Sequence, residues 1–210
     1  DAAIAGTVSS NVNVTATIDA SCSIDSVSAV NFGNAYHPAN NQPTYAAGAV
    51  TVSCVKGSHP TITLDGGQKL VVNSSGVTTF IGAVGSKTAL ASLTTDAGGE
   101  VNVNGGSVTT TAEQVYNDAL KMTGSTTLKG SAVRFNAAAT GTGALTVDGA
   151  ATIKGGTVTT AGAQTYKGAV TLESDTVLSS TGGGDIAFMT TLDGAQALEV
   201  KTSGVTTFTS

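Results

Sequence analysis

The feature that most constrains the fold is a long phrase that occurs twice. Leu64-Asp-Gly-Gly-Gln-Lys-Leu-Val-Val-Asn-Ser-Ser-Gly-Val-Thr-Thr-Phe80 returns as Leu192-Asp-Gly-Ala-Gln-Ala-Leu-Glu-Val-Lys-Thr-Ser-Gly-Val-Thr-Thr-Phe208, at an ungapped offset of 192 − 64 = 128. A second pair lies between them. Gly105-Gly-Ser-Val-Thr-Thr-Thr-Ala-Glu-Gln-Val-Tyr-Asn-Asp-Ala119 matches Gly155-Gly-Thr-Val-Thr-Thr-Ala-Gly-Ala-Gln-Thr-Tyr-Lys-Gly-Ala169 at an offset of 155 − 105 = 50. One such unit cannot bury its apolar face alone, whereas stacked copies build a continuous core. From about residue 60 onward the chain therefore reads as a repeat protein.

Within that region, Gly, Asn, Asp and Ser punctuate short phrases rich in Val, Thr, Leu and Phe. Strands are predicted at 69–72, 77–81, 101–104, 144–147, 170–172, 185–188 and 205–208. The segment 112–122 has a helical look, but its copy 50 residues later carries two Gly and makes a poor helix. Related copies share a structure, so both are predicted to be a turn followed by a strand.

Composition agrees and excludes several classes. Of 210 residues, 27 are Gly, only 11% are charged and none is Trp, which suits short strands and tight turns better than disorder. The net charge of −5, without any cluster of Lys or Arg, argues against nucleic acid as a partner. No run of about 18 apolar residues is present, so no transmembrane helix is expected. The chain opens at Asp1 without Met, as would a secreted protein after leader cleavage or an expressed fragment. Its two cysteines, Cys22 and Cys54, form no CxxC motif. That suits one structural disulfide better than a metal or redox site, with two unpaired buried thiols as the alternative.

In the first third, 8–18 alternates strictly: Val8, Val12, Val14, Ala16 and Ile18 share one parity and Ser, Asn and Thr the other, the pattern of a strand with one buried face. Strands are also expected at 27–32 and 49–55, separated by a loop that holds Pro38 and Pro43. The phrases Val12-Asn-Val-Thr-Ala-Thr-Ile-Asp-Ala-Ser-Cys-Ser-Ile24, Val30-Asn-Phe-Gly-Asn34, Gly48-Ala-Val-Thr-Val-Ser-Cys-Val-Lys-Gly57 and Thr61-Ile-Thr-Leu-Asp-Gly-Gly67 resemble the spore coat protein U family, the secreted subunits of archaic chaperone–usher pili. The resemblance covers about 7–67.

It implies an immunoglobulin-like pilin domain with a Cys22–Cys54 disulfide, completed by an N-terminal strand donated from a neighbouring subunit. It also implies a periplasmic chaperone and an outer-membrane usher during export. Here the donor would be the alternating segment; the simpler alternative makes it the first strand of its own domain. A full pilin of this kind continues for several strands after the second Cys, whereas this chain passes after Gly67 into the repeat. The expected pilin-like part is therefore incomplete.

Ser-Gly-Val-Thr-Thr-Phe, Leu-Thr-Thr-Asp-Ala-Gly-Gly and Gly-Ala-Gln-Thr-Tyr resemble repeats of filamentous bacterial surface adhesins. That resemblance implies a parallel β-helix for the remaining two-thirds. The expected chain is thus all-β: a donor extension at 1–19, an incomplete immunoglobulin-like pilin part at 20–67, and a β-solenoid at 68–210. The sequence stops at Ser210 inside a repeat with no polar cap in view. Either the chain was cut, or the open rung bearing Val205 and Phe208 pairs with another subunit.

Candidate chemistry is sparse. His37 and His59 lie in or beside Pro-containing loops without a partnered nucleophile, so neither catalysis nor metal binding is expected of them. Asp65, Asp96, Asp148 and Asp193 precede Gly or Ala-Gly, which favours turn chemistry over calcium. The single Arg, Arg134, and scattered Lys do not suggest a polysaccharide-cleaving site. No enzyme activity and no cofactor are expected. The reading is a homopolymeric subunit of a secreted extracellular filament, assembled by strand donation. The alternative is a fragment of a large surface adhesin whose β-helix is a passive stalk.

Overall fold

A computed structural model describes residues 67–209, together with the backbone of Thr15–Thr17, Cys22–Val27, Ala49–Cys54 and Thr61–Thr63. The described chain is all-β. From Lys69 onward it winds as a parallel β-solenoid of about seven turns.

Each turn has three sides, which follow from the strand pairing. The first side stacks Lys69–Ser74, Ser92–Thr95, Gln114–Tyr116, the end of Thr126–Phe135, the end of Leu145–Ile153, Val170–Leu172 and Leu192–Asp193. The second side stacks Val77–Phe80, Glu100–Val103, Ala119–Met122, Ala139–Gly141, Thr157–Thr160, Thr176–Ser180 and Leu198–Lys201. The third side begins with the bridges Val84–Val108 and Leu90–Thr110. It continues through Ser107–Thr109, the first halves of the two long strands, Gln164–Tyr166, Ile186–Phe188 and Thr206–Phe208. Thr126–Phe135 and Leu145–Ile153 run through the corner between the third and first sides, so those two sides form one thirteen-stranded sheet beside the seven-stranded second side.

Period-2 alternation decides what faces inward. Lys69–Ser74 alternates exposed and buried, and Ser92–Thr95, Glu100–Val103 and Thr157–Thr160 keep the same rhythm. The inward row on the first side runs Leu70, Leu93, Gln114, Val133, Ala151 and Val170, all buried. Each large aliphatic or aromatic side chain so placed contributes about 1.5–3 kcal/mol of burial. The expected solenoid is therefore present, and 112–122 is two strands in the extended form of its copy at 162–172.

Turns vary in length: Val133 to Ala151 is 18 residues and Leu70 to Leu93 is 23. In the first turn, extra residues are taken up on the third side between the bridging residues Val84 and Leu90, where 86–88 are exposed. The corner between the second and third sides carries a glycine in every turn: Gly82, Gly105, Gly124, Gly143, Gly162, Gly184 and Gly204. At this corner successive backbones stack so closely that a Cβ on Gly105 would overlap the backbone of Gly82, and one on Gly143 that of Gly124.

At the N-terminal end, Ala49–Cys54 pairs parallel with Lys69–Ser74 and extends the first side by one strand. Cys22–Val27 then closes that edge in antiparallel sense. Thr15–Thr17 pairs antiparallel with Thr61–Thr63. Most residues expected to carry the immunoglobulin-like part lie outside those described.

Candidate functional site

Among the described residues no three of His, Cys, Asp and Glu converge so as to hold a metal ion. What the fold offers is surfaces, edges and corners.

The backbone register sets Cys22 opposite Cys54 in the antiparallel pair. Of the alternating N-terminal segment, only Ala16 falls within a described strand, where it sits opposite Ile62 of the same chain. Val8, Val12, Val14 and Ile18 lie outside the described residues, as do His37, His59 and Asp65.

At the other end, Val205 is 62% and Phe208 59% exposed. Phe208 is the last ring of a column in which Tyr166, Phe188 and Phe208 stack at 5.3 and 5.0 Å on the third side. Among the described residues the other exposed large apolar side chains are Ile81 and Met189.

The aspartates act as corner straps. Asp96 Oδ1 accepts the Ser74 amide at 2.8 Å, one turn back. Asp175 and Asp185 reach the other way, accepting the Ala197 and Val205 amides at 3.0 and 2.8 Å. Asp148 instead pairs with Lys167 at 3.5 Å, and Arg134 with Glu173 at 2.9 Å, both on the exposed surface where such pairs contribute little. Asp193 is exposed.

Asp118 was not among the residues that sequence reasoning selected. It is buried, and its Oδ1 accepts the Gly99 amide at 2.6 Å while Oδ2 has no hydrogen-bond partner among the described residues. Burial pushes its carboxyl above the usual carboxylate range, and the nearby Asp96 adds to the shift. The bonds from Gly99 and Thr95 oppose it.

A second missed feature is a polar clasp inside the tube. Gln114 Nε2 donates to the carbonyls of Val108 and Lys129 at 3.0 and 2.8 Å and to Thr110 Oγ1 at 3.4 Å, and its Oε1 accepts the Tyr116 hydroxyl at 2.8 Å. Gln164 makes the same set, to Val158, Ser179 and Thr160 at 3.1, 2.9 and 3.2 Å and from Tyr166 at 2.9 Å. Both Gln and both Tyr are fully buried. Every member is displaced by 50 residues, so the repeat itself, read as Val-x-Thr-x-x-x-Gln-x-Tyr, was the available signal.

A scan against protein-family models matches the Spore Coat Protein U domain over residues 8–173. The match therefore continues past Gly67, where the quoted motifs end, through most of the solenoid. Searches of curated proteins and of solved structures gave no significant match.

Proposed function

This chain belongs to the Spore Coat Protein U domain family, and on that premise we propose that it is a structural subunit of a secreted, pilus-like filament built by β-strand donation. The family points to fimbrial structural proteins of the cell surface and is associated with chaperone–usher assembly. No helix among the described residues is long and apolar enough to cross a membrane. The observation that carries the proposal is the family match over 8–173.

In this reading copies of the chain are one another's partners, and a periplasmic chaperone and an outer-membrane usher serve export. The alternating segment with Val8, Val12, Val14, Ala16 and Ile18 supplies both a backbone ladder and apolar plugs for an open sheet edge. A Cys22–Cys54 disulfide staples the N-terminal strands; the register that sets the two residues opposite each other supports it. The exposed Val205 and Phe208 form a further contact surface between subunits. The reading assigns no catalysis, metal or cofactor. The second reading, a fragment of a large adhesin with a passive β-helix stalk, is favoured by solenoid turns that run on past the end of the family match at 173.

Negative-stain electron microscopy of the chain beside a version lacking 1–19 tests the proposal. Filaments from the full chain and single particles from the truncation are expected. Filaments from both would move the junction away from the donor segment, towards Val205 and Phe208. Folded single particles from both would remove the filament reading and leave the adhesin stalk. Mass measurement of the unreduced chain tests the disulfide, through the two hydrogens lost on its formation.

A further inference from the structure

At the corner between the second and third sides, a Cβ on Gly105 would overlap the backbone of Gly82, so the second turn needs glycine there. That glycine directly follows Asn104, and the two form the chain's single Asn-Gly pair. The residue after an Asn ordinarily screens its own amide nitrogen with a side chain; glycine leaves that nitrogen open. Asn104 is exposed. Asn117 and Asn136 differ, since their side chains are hydrogen-bonded and the residues that follow them, Asp118 and Ala137, carry a Cβ. The backbone around Asn104 is held from both neighbouring turns. The Phe80 carbonyl accepts the Asn104 and Gly105 amides at 2.9 and 3.1 Å. On the other side, the carbonyls of Val103 and Gly106 accept the Thr123 and Thr127 amides at 3.0 and 2.9 Å. Gly106 turns the corner at a φ of +73°, a conformation that glycine adopts without strain.

We infer that Asn104 is a site of spontaneous deamidation guarded by the fold: the closed corner keeps Asn104 and Gly105 from reacting, and a chain modified while the corner is open cannot close it properly again. In the reaction the Gly105 nitrogen attacks Asn104 Cγ. The bond from Cγ to the side-chain nitrogen breaks, and that nitrogen leaves as ammonia with the proton given up by Gly105. Water then opens the resulting succinimide at either carbonyl, so the chain and solvent are the only reactants. In the closed corner the Gly105 N–H is engaged with the Phe80 carbonyl, and ring closure has to break that bond and turn the peptide plane. One product of ring opening is an ordinary Asp, which changes only an exposed side chain. The other is an isoaspartyl link, whose main chain runs through the former side chain and is one methylene longer. That methylene falls just before Gly105, where the backbone of Gly82 leaves no room even for a Cβ. The isoaspartyl product therefore loosens the joint between the first and second turns through main-chain length and not through charge.

The test is peptide mapping by mass spectrometry, with fragmentation that distinguishes isoaspartate from aspartate. The full chain is incubated at mildly alkaline pH, native and in guanidinium chloride. In denaturant, residue 104 should exchange its amide for an acid, largely as isoaspartate. The native chain should react at least about tenfold more slowly, because the reaction waits on local opening. Equal rates would overturn the guard, and a denatured chain without isoaspartate at 104 would overturn the site. Asn104→Gln, whose longer side chain closes a less favourable ring, should abolish the modification in denaturant; an undiminished rate would exclude attack by Gly105. The second readout is refolding, with unmodified chain carried through the same steps. Isoaspartyl chains should be missing from the folded fraction or melt roughly 4 °C or more below the unmodified chain. Asn104→Asp should melt with the wild type, as exposed substitutions usually do. An isoaspartyl chain with an unchanged midpoint, or an Asn104→Asp chain damaged as much, would overturn the role of main-chain length.

Discussion

Replacing Gln164 by Ala should be among the most damaging single changes in the solenoid. The side chain is fully buried: three acceptors share the two hydrogens of its Nε2, and its Oε1 accepts one bond. Its removal strands the Tyr166 hydroxyl, which is itself fully buried and has Gln164 as its acceptor. An orphaned buried donor costs about 1–3 kcal/mol, and the lost bonds and cavity bring the expected total to about 3–5 kcal/mol. Against a total stability of about 5–15 kcal/mol, that is a large fraction.

The mechanism is separable from simple loss of volume by a double-mutant cycle. Tyr166→Phe alone leaves the Gln164 oxygen without its donor. In Gln164→Ala/Tyr166→Phe neither orphan remains, so the double variant should be less damaged than the sum by at least about 1 kcal/mol. Urea unfolding followed by circular dichroism gives the free energies. Native-state hydrogen exchange across 158–180 checks that the loss is local, because repeat arrays can depart from two-state unfolding. The reasoning is refuted if the two changes are additive, or if Gln164→Ala costs under about 1 kcal/mol, the value of a lone surface-like bond. Gln114→Ala should behave alike, since its clasp is the same set of bonds on another side of the tube.

Glycine substitutions should divide by corner. Gly105→Ala meets the backbone of Gly82 and should destabilise strongly, whereas Gly141→Ala points inward between Met122 and Thr160 at 3.3–3.6 Å and should stabilise by about 0.4–1 kcal/mol in thermal melts. Burial raises the Tyr116 and Tyr166 hydroxyls above the ordinary value of 10.0. Their contribution to stability is therefore complete below that pH and is lost above it. An ultraviolet alkaline titration should show these two phenols ionising only as the solenoid unfolds, while the same scan of unfolded chain shows ordinary tyrosines.

The sequence by itself determined that the chain stacks. Two repeated phrases, each too small to bury its own apolar face, leave few other solutions, and alternation within each phrase names inward residues such as Leu70, Val72 and Tyr116. The column of corner glycines was also legible, since Gly105, Gly124, Gly143 and Gly162 recur every 19 residues. Only the tertiary structure showed that the repeating unit is one side of the tube and not one turn. Val108 lies on the third side and its copy Val158 on the second, eight sides later. Leu70 lies on the first side and its copy Leu198 on the second, nineteen sides later. Neither offset is a whole number of turns, so each copy meets different neighbours. Phe80 is buried and its copy Phe208 exposed. The linear period could not reveal this, because turn length varies. The burial of Gln114, Gln164 and Asp118 was hidden for a related reason. A polar side chain reads as outward until the partners that satisfy it, one turn away and 15 to 19 residues along the chain, are brought beside it.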